Sequence, residues 1–218
     1  MEGIDYEGTL SPVVKFQSIR TLAALVACHD LELHQMDVKT AFLNDELEEE
    51  IYMKQPEGFV VQGHEDKVYK LNRVLYGLKQ ASRQWYRKFH QAIGEIGFVP
   101  NNADTCFYIK RSGSSYLYLS LYVDDILIAG DQLEAVNEIK QWLKSRFEMK
   151  DMGEAEYVLG IEITRDHPNR LLSLSHRSYL ETVLKWFDMA MCKPIDTPIC
   201  KGINYPAIRD PQTSRIRK

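Results

Sequence analysis

The sequence predicts an α+β domain built on an antiparallel sheet backed by helices, and three observations carry that expectation. Two β-rich apolar runs, residues 116–123 and 126–129, are separated only by Asp124-Asp125, as central strands joined by a hairpin would be. Helical spacing of apolar residues recurs in segments 18–28, 82–96 and 133–150. A second pair of strand-like runs, 157–164 and 171–174, is joined by Asp166-His167-Pro168-Asn169. Antiparallel strands with interspersed helices define the class, and the helices are expected to stack on one face of the sheet.

The elements follow in chain order. Ile19, Leu22, Leu25 and Val26 form the stripe of a first helix. Residues 33–38 read as a strand ending near Asp37, with Leu33, Gln35 and Asp37 on one face and His34, Met36 and Val38 on the other. Asn44-Asp45 has turn chemistry, and Ile51-Tyr52-Met53 makes a short strand closed by Pro56-Glu57-Gly58. In 82–96 the stripe is Trp85, Phe89, Ile93 and Ile96, interrupted by Gly94, with Arg83, Arg87 and Lys88 on the other sides. Leu133, Val136, Ile139, Leu143 and Phe147 repeat the spacing. Ser178 and Glu181 have the spacing of a capping box before a last helix bearing Val183, Leu184 and Phe187.

Composition excludes several classes. The 218 residues, 44% hydrophobic and 27% charged, suit one large or two small globular domains rather than a disordered chain. With no run of about 18 apolar residues, no membrane partner is expected. The acidic start Met-Glu-Gly-Ile-Asp-Tyr lacks the layout of a secretory signal. Four cysteines without Cys-x-x-Cys and six histidines without zinc spacing argue against a disulfide framework or zinc knuckle. Phosphate-loop and nucleophile-elbow motifs are missing too. The net charge of −4 disfavours a polyanion partner at first sight. Yet Lys67, Lys70, Arg73, Lys79, Arg83, Arg87 and Lys88 fall in a stretch with no acid, and phosphate contacts depend on such local charge. By itself the stretch reads first as solvated helix faces.

The costliest feature is Asp124-Asp125 beside apolar strands, because uncompensated buried carboxylates lose several kcal/mol each. A divalent cation would compensate them, and magnesium is commonly held by one or two carboxylates together with substrate phosphates and water. Taken alone the pair reads first as a hairpin turn. Asp37, at the end of another strand, changes that balance, since neighbouring strands would let three acids converge.

Four ordered blocks carry a resemblance. Asp37-Val38-Lys39-Thr40-Ala41-Phe42-Leu43-Asn44, Leu75-Tyr76-Gly77-Leu78-Lys79-Gln80, Tyr122-Val123-Asp124-Asp125 and Tyr157-Val158-Leu159-Gly160-Ile161 occur in the order found in reverse transcriptases of copia-type LTR retrotransposons. The stretches 48–59 and 192–198 extend the similarity, which runs from Gly3 to about Lys201. It implies a polymerase palm with partial fingers and the start of a thumb over 1–200, followed by a divergent, poorly ordered tail over 201–218.

The resemblance further implies an RNA-directed DNA polymerase using two Mg2+ ions, with Mn2+ as a substitute, an RNA template, a DNA primer and a dNTP. Asp37, Asp124 and Asp125 match the catalytic, metal-binding acids, and the Val38 carbonyl is a further ligand. Phe42 matches the gate that excludes a 2′-hydroxyl; read alone it is equally a core residue. Lys79 and Gln80 match the block that contacts the nucleotide. Tyr122, Val123, Leu159, Gly160 and Arg83 would border primer and template, with ordinary strand packing an equal reading for Val123 and Leu159. The basic segment, with Tyr76, Trp85 and Tyr86 between its cations, suits a template channel, although Trp85 sits on a core stripe.

In the family the chain continues upstream into finger strands and downstream into the thumb and RNase H, so missing fingers and RNase H are expected partners. Weak or absent synthesis by this chain alone is the consequence. Asp45 replaces a usual glycine and Ser82 a usual proline. An inactive relic of a mobile element and a non-catalytic nucleic-acid binding module are the alternatives. The parent element implies a cytoplasmic, virus-like-particle setting.

Overall fold

The apolar runs around Asp124 form the centre of the fold, since a strand rich in Ile and Leu on both faces is stable only between two layers. The computed structural model describes residues 11–44, 50–78, 80–113 and 115–193. Strand β6 (Ser115–Tyr122) pairs antiparallel with β7 (Asp125–Gly130), from Leu117↔Gly130 to Tyr122↔Asp125. β7 pairs on its other side with β1 (Glu32–Val38), from Glu32↔Gly130 to Asp37↔Asp125. With β4 (Val99–Asn101), β5 (Asp104–Ser112) and β8 (Met149–Glu154) this makes a six-stranded sheet in the order β4-β5-β6-β7-β1-β8. The hairpin turns on Val123-Asp124, one residue earlier than expected, because Asp125 already pairs with both Tyr122 and Asp37.

Two helices cover the face bearing Tyr108, Leu119, Ile126 and Ile128. They are α2 (Ala81–Glu95), which buries Trp85, Phe89 and Ile93, and α3 (Leu133–Arg146), which buries Val136, Ile139 and Leu143. The Phe89 ring lies 6.2 Å from Tyr108 and 6.0 Å from Phe147. Helix α1 (Phe16–His29) lies against the opposite face. Ser18 and Thr21 line a cavity with Phe107, and His29 lines another with Tyr118. The expectation of helices on one face therefore holds for α2 and α3 alone, because the second apolar face of β7 also needs cover. Lys15, before α1, supplies no side-chain cap. The Asp104 carboxylate does so from the sheet, accepting from the Lys15 amide at 2.8 Å and Ser18 Oγ at 2.5 Å.

Helix α3 stops at Arg146, short of the expected 150, and the chain continues as β8, whose backbone finds its partners in β1. β2 (Tyr52–Lys54) and β3 (Val68–Lys70) form an exposed hairpin. The basic stretch 67–88 is thus divided among β3, a connection and α2, and is not one helix face. The run 157–164 is broken at Leu159-Gly160 into β9 (Tyr157–Val158) and β10 (Ile161–Asp166), which pairs onward with β11 (Leu171–Ser175).

Contacts divide the chain into two units, 1–176 and 177–218. The second contains α4 (Arg177–Trp186), and Ser178 lies inside it rather than at its cap. The Ser178 carbonyl accepts from Thr182 Oγ1, and Arg177 pairs with Glu181 at 2.8 Å, so the expected capping box is replaced by ordinary bonds within the helix. Asp45 and the tail 201–218 lie outside the described residues. Cys28, Cys106 and Cys192 are free thiols, and no described helix is long and apolar enough to cross a membrane.

α3 is tied to the sheet by a buried charge. Lys140 Nζ lies 2.8 Å from Asp151 Oδ1 on β8 and donates to His34 Nδ1 on β1 at 3.0 Å. Burial and the Lys140 charge hold the His34 pKa below its ordinary value, which suits a neutral ring accepting that bond. Burial pushes the Asp151 carboxyl up, but hydrogen bonds from Lys140, the Gly153 amide and Lys144 outweigh it and pull the pKa down to about 2. A carboxyl depressed in this way contributes stability present above its ordinary value of 3.8 and lost as pH falls towards about 2. In urea unfolding followed between about pH 5 and pH 2, Asp151→Asn is expected to be less stable than the parent at the upper end and to lose less on acidification.

Candidate active site

The end of the β1–β7 ladder is where three acids gather. Asp37 and Asp125 are direct partners in register, and alternation puts both side chains on the face that carries Gln35. Asp124 stands in the adjoining turn, its carbonyl accepting from the Val38 amide at 2.9 Å. All three acids are half-buried. The arrangement depends on β1 ending where β7 begins, so that the last pair of one ladder is also the closing pair of the hairpin.

Burial first, and like charge after it, disfavours ionisation at this corner. Burial, and then the charges of Asp124 and Asp37, push the Asp125 carboxyl above its ordinary range, while a hydrogen bond from Gln35 Nε2 at 2.9 Å opposes them. The Tyr76 phenol is likewise raised, by burial and by Asp124 and Asp37, which places its oxygen in the field of the acids. Carboxylates are acceptor-only hard oxygens, suited to a hard divalent cation. Among the described residues no three His, Cys, Asp or Glu side chains close into a metal-holding group. The expected convergence therefore takes the form of an open corner: two acids face each other across the ladder, and the third belongs to the turn.

The other expected residues divide into near and far. Phe42, in a short 3-10 turn (Ala41–Asn44), packs on Tyr76 with ring centroids 4.6 Å apart. That turn packs against α2, whose first residue follows Gln80. The Gln80 side-chain nitrogen is buried without a hydrogen-bond partner. Lys79 lies outside the described residues. Val38 is buried, and Tyr122 is half-buried beside Asp125. Arg83 is exposed on α2. Leu159 and Gly160 form the β9–β10 turn with φ of 51° and 76°, in a separate three-stranded sheet. A two-residue hairpin of this kind needs positive φ, and glycine supplies it without strain at the second position.

Trp85 is core, 1% exposed, which removes it from any base-stacking surface. Its indole nitrogen donates to the Val123 carbonyl at 2.6 Å. Three contributions were not read from the pattern: Gln35 on Asp125, Tyr76 on Phe42, and the Trp85 bond to the turn. Gln35 had a signal, since it shares a face with Asp37. A buried indole also announces that it needs an acceptor, though not which one.

The family described as reverse transcriptase (RNA-dependent DNA polymerase) matches residues 1–201. The chain is 49% identical over 199 residues to the Retrovirus-related Pol polyprotein from transposon TNT 1-94 of Nicotiana tabacum, covering 91% of this chain and 15% of that protein. It is 39% identical over 197 residues to the corresponding polyprotein from transposon RE1 of Arabidopsis thaliana, 90% of this chain and 13% of that one. The putative transposon Ty5-1 protein YCL074W of Saccharomyces cerevisiae is 34% identical over 167 residues, 77% of this chain and 54% of the relative. No solved structure matches.

A carboxyl held above its ordinary value contributes stability that grows as pH falls through the raised pKa. Asp125→Asn removes the disfavoured charge and keeps an oxygen for Gln35. Its thermal midpoint is expected to rise by about 3 °C, corresponding to about 1 kcal/mol, in calorimetry near neutral pH.

Proposed function

The chain belongs to the reverse transcriptase (RNA-dependent DNA polymerase) family, in its copia-type retrotransposon branch, and from that premise we propose that Asp37, Asp124 and Asp125 carry nucleotidyl transfer to a primer on an RNA template. The single observation that carries the reading is the register Asp37↔Asp125, with Asp124 in the adjoining turn. Magnesium fits this donor set, because it takes few protein carboxylates and leaves positions for substrate oxygens. Two such ions, or manganese in their place, would help the primer 3′-hydroxyl attack and offset charge on the leaving pyrophosphate.

The chain's own residues do the positioning. Asp37 and Asp124 are the carboxylates that would hold the metal, with the Val38 carbonyl as a further candidate ligand. Gln35 orients Asp125. Phe42, braced by Tyr76, lies under the sugar of the incoming dNTP and excludes a 2′-hydroxyl by bulk. Gln80 and Lys79 contact the nucleotide, and the unpaired buried nitrogen of Gln80 supports this role, since such a group needs an acceptor. Tyr122, Val123, Leu159, Gly160 and Arg83 border primer and template.

In this reading the six-stranded sheet with α2 and α3 is the palm, and the β2–β3 hairpin belongs to the fingers. β9–β10 is the primer grip and α4 begins the thumb. The setting we propose is the cytoplasmic particle of the parent element, where this domain would act together with the fingers and RNase H of the polyprotein. Synthesis by the chain alone is expected to be weak. Triphosphate charge needs cationic clamps, and Lys39, next to the Asp37–Val38 strand end, is engaged by Glu148 at 2.9 Å.

The test is primer extension on an RNA template with and without magnesium. Extension that requires the metal and falls at least roughly a hundredfold in Asp124→Asn is the expected result. A variant that extends as well as its parent would remove the acids from the chemistry. Tight, salt-sensitive binding of single-stranded RNA with no metal requirement and no extension would favour the binding module instead.

A further inference from the structure

The turn that carries Asp124 is held in a conformation its sequence does not favour. Val123 has φ of 54°, and a β-branched residue in the left-handed region is a genuine outlier. Two-residue hairpin turns place glycine, asparagine or aspartate at such positions. Strain of this kind persists only where the surroundings over-determine it. Two donors from outside the hairpin do so. The Val38 amide, on the strand that bears Asp37, bonds the Asp124 carbonyl at 2.9 Å. The Trp85 indole nitrogen, from α2, bonds the Val123 carbonyl at 2.6 Å.

The indole has little freedom to do otherwise. Its ring is packed edge-on to Phe147 at 5.2 Å and tilted against Phe89 at 5.6 Å. A donor so enclosed must find an acceptor inside the protein. We propose that Trp85 is a positioning residue for the reaction: through the Val123 carbonyl it fixes the strained turn, and so the placement of Asp124 and Asp125 against Asp37. The proposal rests on the polymerase reading of those acids, and Trp85 itself touches no substrate. It also gives α2 a second task. Helix α2 contacts the 3-10 turn bearing Phe42, and through Trp85 the same helix grips the acid-bearing hairpin. Substrate contacts on one side and acids on the other are then referred to a single rigid rod.

Trp85→Phe separates positioning from packing, because it keeps an aromatic ring in the core and removes the donor. In the 218-residue chain, amide hydrogen exchange at Val38, whose N–H bonds the Asp124 carbonyl of the turn, and at Asp125 is expected to quicken at least roughly tenfold, with the β5–β6 ladder unchanged. Primer extension should lose at least roughly tenfold in kcat, with KM for dNTP within about threefold and half-saturating magnesium raised. Val123→Gly in the Trp85→Phe background, which relieves the positive-φ strain, should recover part of the lost kcat. Exchange at the turn that does not change, or that quickens evenly over the whole sheet, would overturn the assignment. So would a fall in kcat that follows the thermal midpoint with the magnesium dependence unmoved. If the parent chain shows no magnesium-dependent extension, the polymerase reading fails, while exchange at the turn still decides whether Trp85 holds it.

Discussion

The pairing of β1 with β7 is the constraint from which most of this molecule follows. Six consecutive pairs run from Glu32↔Gly130 to Asp37↔Asp125. Strand side chains alternate with a period of two, so a slip of one residue would turn every one of them to the other face. The apolar residues forbid that slip. Met36, Ile126 and Ile128 are fully buried on one face, and Leu33, Leu127 and Ala129 are buried on the other. The same packing that stabilises the sheet therefore also decides which carboxylates meet at its end. Stability and site are two readings of one register.

That economy has a cost, visible at Asp125. Its ladder position brings it next to two like charges and away from water, and a single amide from Gln35 opposes the resulting penalty. Elsewhere the fold treats charge differently. Asp151, on the far side of β1, receives bonds from Lys140, Lys144 and Gly153 and is stabilised as an anion. One strand thus separates a compensated carboxylate, which braces α3 against β8, from a group whose charge is opposed by burial and by two neighbouring acids. A strained carboxyl of the second kind is the sort of group from which functional sites are built, and the proposed role of the three acids rests on it.

Legibility in the sequence varied with how much each segment relied on its own pattern. The helix stripes of Ile19, Leu22 and Val26, and of Trp85, Phe89 and Ile93, correspond to α1 and α2 because the apolar face alone specifies them. β6 and β7 were readable for the same reason. β4, β5 and β8 were not anticipated. Val99-Pro100-Asn101 carries a proline, and Met149-Lys150-Asp151-Met152-Gly153-Glu154 is charged and half-exposed. β4 and β8 take their conformation from a neighbour's backbone rather than from their own side chains, whereas β5 carries buried Cys106, Phe107 and Tyr108, a strand signal that was overlooked. The turn was misplaced by one residue because valine prefers strands, and nothing local reveals that Trp85 and Val38 would hold Val123 and Asp124.

The amino-acid pattern by itself determined the class of fold and, through ordered motifs, the family, and it singled out three acids as candidates. These depend on residue types and short spacings, which survive without knowledge of the third dimension. Tertiary structure alone decided that Asp37 faces Asp125, that Gln35 meets the latter's carboxylate, and that Tyr76 packs on Phe42. It also decided that a buried indole carries the hairpin turn. Each of these is a contact between segments far apart in the chain, fixed by packing and register, and neither is written in any local stretch of sequence.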